Sequence, residues 1–111
     1  MGRGLSPLQR EILLFIHHNG RESKVFEYEG PLWCCVWFPH PGRIKLAQQM
    51  KRGNLSNYSS AAISRALRRL EKRGLLERNN WTSGTDERAN LVIMTPVGRE
   101  LMVDIAANVN H

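Results

Sequence analysis

The sequence predicts a small α+β domain, mostly helical, with a three-helix core, a β-hairpin and a closing C-terminal helix. Three observations predict it. Residues 59–78, SSAAISRALRRLEKRGLLER, read as a cationic amphipathic helix stopped by glycine and followed at once by a strand. Stretches of helical periodicity lie both before and after this segment. Two short β-prone runs, residues 75–79 and 91–94, flank a polar stretch as the arms of a hairpin do. With 111 residues, 41% of them hydrophobic, residues 1–111 form one domain with a modest core.

The first helix is announced by Ser6 as N-cap, Pro7 at the first helical position and Gln9 completing a Ser-x-x-Gln capping box. Leu8, Ile12, Phe15 and Ile16 give its buried stripe, and Asn19-Gly20 closes it. Residues 24–29 alternate as a half-exposed strand would, and Gly30-Pro31 signals a turn. The apolar run 32–38, LWCCVWF, is too short for a typical helix. It reads as a second strand or a strand-like apolar cover, which makes residues 21–42 an atypical β or loop insertion. Pro39-His40-Pro41-Gly42 then breaks the chain.

Helical pattern returns over residues 43–51, with Ile44, Leu46, Ala47 and Met50 inward. Arg52-Gly53-Asn54 ends this helix, and residues 55–57 lead to the basic helix, whose N-cap is Asn57 or Ser59. The two helices make a helix-turn-helix whose turn is longer than the tight type. In the basic helix, Ile63, Ala66, Leu67 and Leu70 define the buried stripe. Arg65, Arg68 and Lys72 fall on the opposite face, flanked by Ala61 and Ser64. Gly74 is the expected left-handed residue just past the helix end. Strands 75–79 and 91–94 enclose a polar loop, 80–90, that carries Arg88. Thr95-Pro96 then starts a last helix running to about Asn108. Its Val97, Leu101, Met102, Ile105, Ala106 and Val109 cover about half its circumference. A helix covering only its own domain needs a narrower stripe, so a homodimer packed through this helix is expected, with residues 32–38 as a second contributor.

Charge is segregated along the chain. The whole carries +6, from 16 Lys plus Arg against 10 Asp plus Glu. Residues 43–78 hold ten basic and two acidic residues, net +8, which leaves six basic and eight acidic residues, net −2, elsewhere. A local cationic surface favours approach to a polyanion and supplies the salt-sensitive part of nucleic-acid affinity. No run of 18 apolar residues occurs, and residues 1–6 lack the apolar core of a signal peptide. No membrane partner and a cytoplasmic location are expected.

Double-stranded DNA is therefore the expected partner. A helix with an apolar back, a cationic front and small residues in its first turns suits the major groove. Arg65 and Arg68 are candidates for base edges or phosphate, because a guanidinium fork pairs bidentately with guanine. Arg69 and Lys72 extend that cationic front. Ser59, Ser60 and Ser64, with the small Ala61, lie near the entering end, where hydroxyls and N–H groups meet phosphates. Arg43 and Lys45, with Lys51 and Arg52, could clamp backbone phosphate from the preceding helix, and Arg88 reaches out from the hairpin loop. For each, the competing reading is a solvated surface side chain or a helix cap. Trp81 could lean on a sugar or pack against the hairpin.

Catalysis and metal binding find no foothold. Cys34 and Cys35 are neighbours, so on a strand they point to opposite faces and grip one ion poorly. They read as structural thiols, with redox or metal sensing as the alternative. His17, His18, His40 and His111 form no zinc-type spacing with them. Nothing pairs a nucleophile with a base and no Gly-rich phosphate loop occurs, so neither an enzyme nor a cofactor is expected.

The element order and two phrases resemble a known family. Residues 59–76, SSAAISRALRRLEKRGLL, and 94–101, MTPVGREL, carry the resemblance. They are similar to the recognition helix with its leucine-x-x-leucine-x-x-x-glycine-leucine end, and to the threonine-x-x-glycine-arginine helix start, of MarR-like regulators. The resemblance covers roughly residues 5–108 and implies a winged helix-turn-helix fold. It further implies a bacterial, archaeal or phage transcriptional regulator that binds specific duplex sequences as a homodimer. The third helix would enter the major groove, and the hairpin would lie as a wing near the minor groove. Two alternatives use the same fold. One is a protein-binding module whose interface is the aromatic stretch 25–38; the other is a DNA-binding part of plasmid or phage replication or partition machinery.

Overall fold

A computed structural model describes residues 4–24, 29–37, 50–51, 53–82 and 88–109. Among them, three helices pack on one four-stranded antiparallel sheet. Helix α1 spans Pro7–Asn19 and starts as its sequence dictates. Ser6 Oγ accepts from the Gln9 N–H at 3.2 Å, while Gln9 Oε1 accepts from the Ser6 N–H at 3.3 Å. Its buried residues are Gln9, Ile12, Leu13 and Ile16; Leu8 and Phe15 are only half-buried against the core.

Strand β1 is Arg21–Lys24 and β2 is Pro31–Trp37. The first strand differs from the expected 24–29, whose middle, 25–28, lies outside the described residues. Arg21, Glu22 and Lys24 are exposed, so β1 buries no apolar face and shows no hydrophobic period. It exists as an edge strand through backbone pairing, Arg21 opposite Cys34 and Lys24 opposite Pro31, helped by an ion pair from Glu22. Residues 32–37 of the apolar run are strand, which settles the alternative left open for them; Phe38 lies outside the described residues. Cys34 lies opposite Ile93 and Cys35 opposite Val92, so the two cysteines belong to opposite faces of the sheet.

A 3₁₀ turn, Gly53–Asn57, precedes helix α2, Ser60–Lys72. The helix predicted over 43–51 lies outside the described residues except for its last two positions. There Met50 is a turn residue and Lys51 is irregular, so the expected helix does not extend to 51. Met50 is nevertheless fully buried in the core, as its inward placement required, and Lys51 is exposed. Strands β3, Leu76–Thr82, and β4, Arg88–Met94, complete the sheet in the order β1-β2-β4-β3. This pair is longer than expected. Residues read as the start and end of a loop are paired instead, with Asn80 opposite Asn90, Trp81 opposite Ala89 and Thr82 opposite Arg88. Polar side chains at two of these three rungs hid them from a hydrophobic count, whereas the ladder itself needs only backbone.

Helix α3, Pro96–Val109, returns across α1. Its entry gives each residue of the Thr-x-x-Gly-Arg phrase a physical task. Thr95 Oγ1 accepts from the Gly98 N–H at 3.0 Å and donates to the Gly74 carbonyl at 2.7 Å, joining the end of α2 to the start of α3. Gly98 is buried where a Cβ would sit 1.8 Å from the Leu75 carbonyl oxygen, so the close approach requires glycine. Arg99 lies 5.3 Å from the centroid of the Trp33 ring and pairs with Glu22 of β1 at 2.5 Å. Trp33 also donates its indole N–H to the Ile16 carbonyl at 2.9 Å and stacks near the His17 ring. The apolar strand is thereby stapled to the domain's own helices. Ile12, Leu13, Ile16, Met50, Leu55, Ile63, Leu67, Leu70, Leu76, Val92, Met94 and Met102 form the centre of one core.

Candidate nucleic-acid interface

Helix α2 is the centre of the candidate site. Ser59 settles the choice of cap: its Oγ accepts from the Ala62 N–H at 3.1 Å and its carbonyl from the Ile63 N–H at 3.0 Å. Asn57 stays within the 3₁₀ turn. That turn is anchored from below by Leu55, 1% exposed, and from the side by Asn54, whose amide reaches Glu11 of α1 at 3.2 Å. The entering end of α2 is thus fixed before any ligand arrives, and its first turn holds no acidic residue to repel an anion.

Two faces of α2 are sharply divided. Ile63, Leu67 and Leu70 are fully buried and Ala66 is 5% exposed. Arg65, Arg68, Arg69 and Lys72 are all exposed and, at about 100° per residue, lie within roughly 100° of arc opposite that stripe. None of these four is drawn into an ion pair among the described residues. Ala61 and Ser59 are exposed beside them, while Ser60 and Ser64 are half-buried on the flanks. Small side chains at the front of the first turns allow close approach of another surface. The helix end falls where expected: Gly74 has φ +73° and donates its N–H to the Glu71 carbonyl at 3.0 Å.

The other predicted residues fare differently. Arg43 and Lys45 lie outside the described residues, as does Arg52. Arg88 belongs to β4 rather than to a loop, at the far end of the β3–β4 ladder opposite Thr82, and its side chain lies outside the described part. Arg78, counted with the cationic cluster by sequence, is tied instead to Glu71: its Nε and Nη2 donate to one carboxylate oxygen at 2.7 and 2.6 Å. Sequence reasoning missed this pair. Its only signal was an acid and a base seven residues apart across a glycine turn, which says nothing without the fold.

A second surface lies away from α2. Val97 and Val103 of α3 are 63% and 47% exposed, and with Leu32 and Leu101 they line an open groove between β2 and α3. Cys34 is 2% exposed, and burial pushes its thiol pKa upward, away from the reactive thiolate. Among the described residues no three His, Cys, Asp or Glu side chains are placed to hold a metal ion, and no helix is long and apolar enough to cross a membrane. No protein-family model matches the chain, and no curated protein matches it.

Proposed function

We propose that this protein binds double-stranded DNA through α2, as a winged helix-turn-helix transcriptional regulator acting in the cytoplasm as a homodimer. One observation carries the reading. Four cationic side chains stand unpaired among the described residues on the front of a helix whose back is locked in the core. A helix held this way keeps its orientation when it meets a duplex, so Arg65 and Arg68 enter the major groove while Arg69 and Lys72 neutralise backbone phosphate. Ser59, Ser60, Ala61 and Ser64 face the strand at the entering end, and the β3–β4 pair with Arg88 acts as the wing. Arg43 and Lys45 add phosphate contacts from the preceding segment. The exposed Val97 and Val103 supply the dimer contact, since two-fold readers of this type address half-sites about one helical turn apart.

Selection of genomic fragments by the purified protein yields the duplex, and a mobility shift on that duplex tests the proposal. With Arg69 and Lys72 each neutralising a phosphate, the logarithm of affinity falls against the logarithm of salt with a slope of about −2 per bound helix. Arg65→Ala and Arg68→Ala each weaken specific binding by about 1–3 kcal/mol and leave the thermal melt unchanged. A double variant that binds as tightly as the parent overturns the assignment. Salt-independent binding, or no selected duplex at all, would favour a protein-binding module.

A further inference from the structure

We infer that the Glu71–Arg78 ion pair is a positioning device that keeps Arg68 available to the duplex, an inference that rests on the DNA-binding reading for its consequence but not for its geometry. Glu71 is the only carboxylate in α2. On a helix, residues three apart are neighbours, and an acid and a base at that spacing pair. The natural partner of Glu71 is therefore Arg68, one turn earlier on the same flank. Such a pair would neutralise one of the two guanidinium groups best placed for base edges.

The structure gives Glu71 a different partner. Both Nε and Nη2 of Arg78 converge on its Oε1 at 2.7 and 2.6 Å, with the two side chains 30% and 33% exposed. A two-donor grip at partial burial outcompetes a single flexible contact on the open helix face. Arg78 stands in β3 opposite Val92, which is fully buried, so its backbone is fixed by the ladder. The Gly74 turn closes the same loop through Gly74 N–H to Glu71 carbonyl, 3.0 Å. Strand β3 is thus tied to the last turn of α2 by the Arg78 side chain, and the turn between them by the Gly74 N–H to Glu71 carbonyl and Leu75 N–H to Leu70 carbonyl bonds. Arg78 holds the acid, and the acid leaves Arg68 alone. It follows that Arg78 adds no net charge to the DNA-facing surface, although the sequence counts it there.

The test is a set of full-length variants read in two ways. In the free protein, the Arg68 Nε–Hε resonance moves in Arg78→Gln, as Glu71 turns to Arg68, and returns to its parent position in Glu71→Gln/Arg78→Gln. On the selected duplex, Arg68→Ala weakens the parent about 10-fold or more. It costs less than about 3-fold in the Arg78→Gln background, and regains its full effect once Glu71→Gln is added. An Arg68 resonance indifferent to Arg78→Gln, or an Arg68→Ala penalty equal in both backgrounds, overturns the inference and makes Arg78 a separate contact. If no duplex binds but the resonance moves and returns, the positioning role stands and the DNA reading falls. Thermal melts of Arg78→Gln confirm that the compared proteins are folded.

Discussion

Gly98→Ala is the sharpest probe of this fold, because two opposing terms act on it and the structure says which wins. In most helices the change is favourable, by about 0.5–1 kcal/mol, since alanine loses less backbone entropy than glycine. Here the new Cβ would stand 1.8 Å from the Leu75 carbonyl oxygen, 2.7 Å from its carbon and 3.0 Å from its Cα. An ordinary carbon–oxygen contact needs about 3.3 Å, so the backbones must part by roughly 1.5 Å. Every clashing atom is main chain, so no rotamer change relieves the overlap. Moving α3 away stretches the Thr95 N–H to Leu75 carbonyl bond, 3.2 Å, and the Thr95 hydroxyl bond to the Gly74 carbonyl, 2.7 Å. Overpacking costs about 1–3 kcal/mol and each lost hydrogen bond about 1 kcal/mol. Net of the helix gain, Gly98→Ala should destabilise by about 2–4 kcal/mol, a fall in Tm of the order of 10–20 °C for a domain of this size. Urea and thermal unfolding measure it. A variant as stable as the parent, or more so, would refute the close approach of α3 to Leu75.

Two further outcomes are expected. Leu67→Ala opens a cavity at a side chain with no exposed surface and should cost about 2–5 kcal/mol in urea unfolding; an unchanged midpoint would mean that the buried face of α2 is wrongly phased. Light scattering at micromolar concentration should give twice 12.7 kDa, and Val97→Lys/Val103→Lys should return the mass to that of one chain. A concentration-independent single-chain mass in the parent would defeat the dimer.

What could be read from the sequence is what neighbouring residues decide among themselves. The Ser6–Gln9 box, the Gly74 stop and the α2 stripe each depend on residues no more than about two helical turns apart and stand where expected, and the α2 cap is Ser59, one of its two candidates. The same holds for the separation of Arg65, Arg68 and Lys72 from Ile63, Leu67 and Leu70, since a helix repeats on itself. What could not be read depends on partners distant in sequence. Strand β1, Arg-Glu-Ser-Lys, has no apolar period, and pairing with the distant β2 backbone makes it a strand. Asn80 and Asn90 look like loop until each is given the other across the ladder. Trp33, read with residues 32–38 as a contributor to a dimer contact, is instead engaged by Ile16, His17 and Arg99 of its own chain.

The candidate site shows the same division, with a consequence for counting charge. Sequence counts ten basic residues in 43–78 and treats each as available. The fold removes Arg78 by pairing it with Glu71, and it leaves Arg65, Arg68, Arg69 and Lys72 on one exposed arc. Affinity for a polyanion depends on the cations that can reach it together, not on the total. Four on one face can act together, because their orientation is already set by Ile63, Leu67 and Leu70 on the back of the same helix. The core of this domain and its proposed contact surface are therefore one device. Weakening the stripe should loosen the cationic face as well, so Leu67→Ala should lower duplex affinity even at temperatures where the domain remains folded.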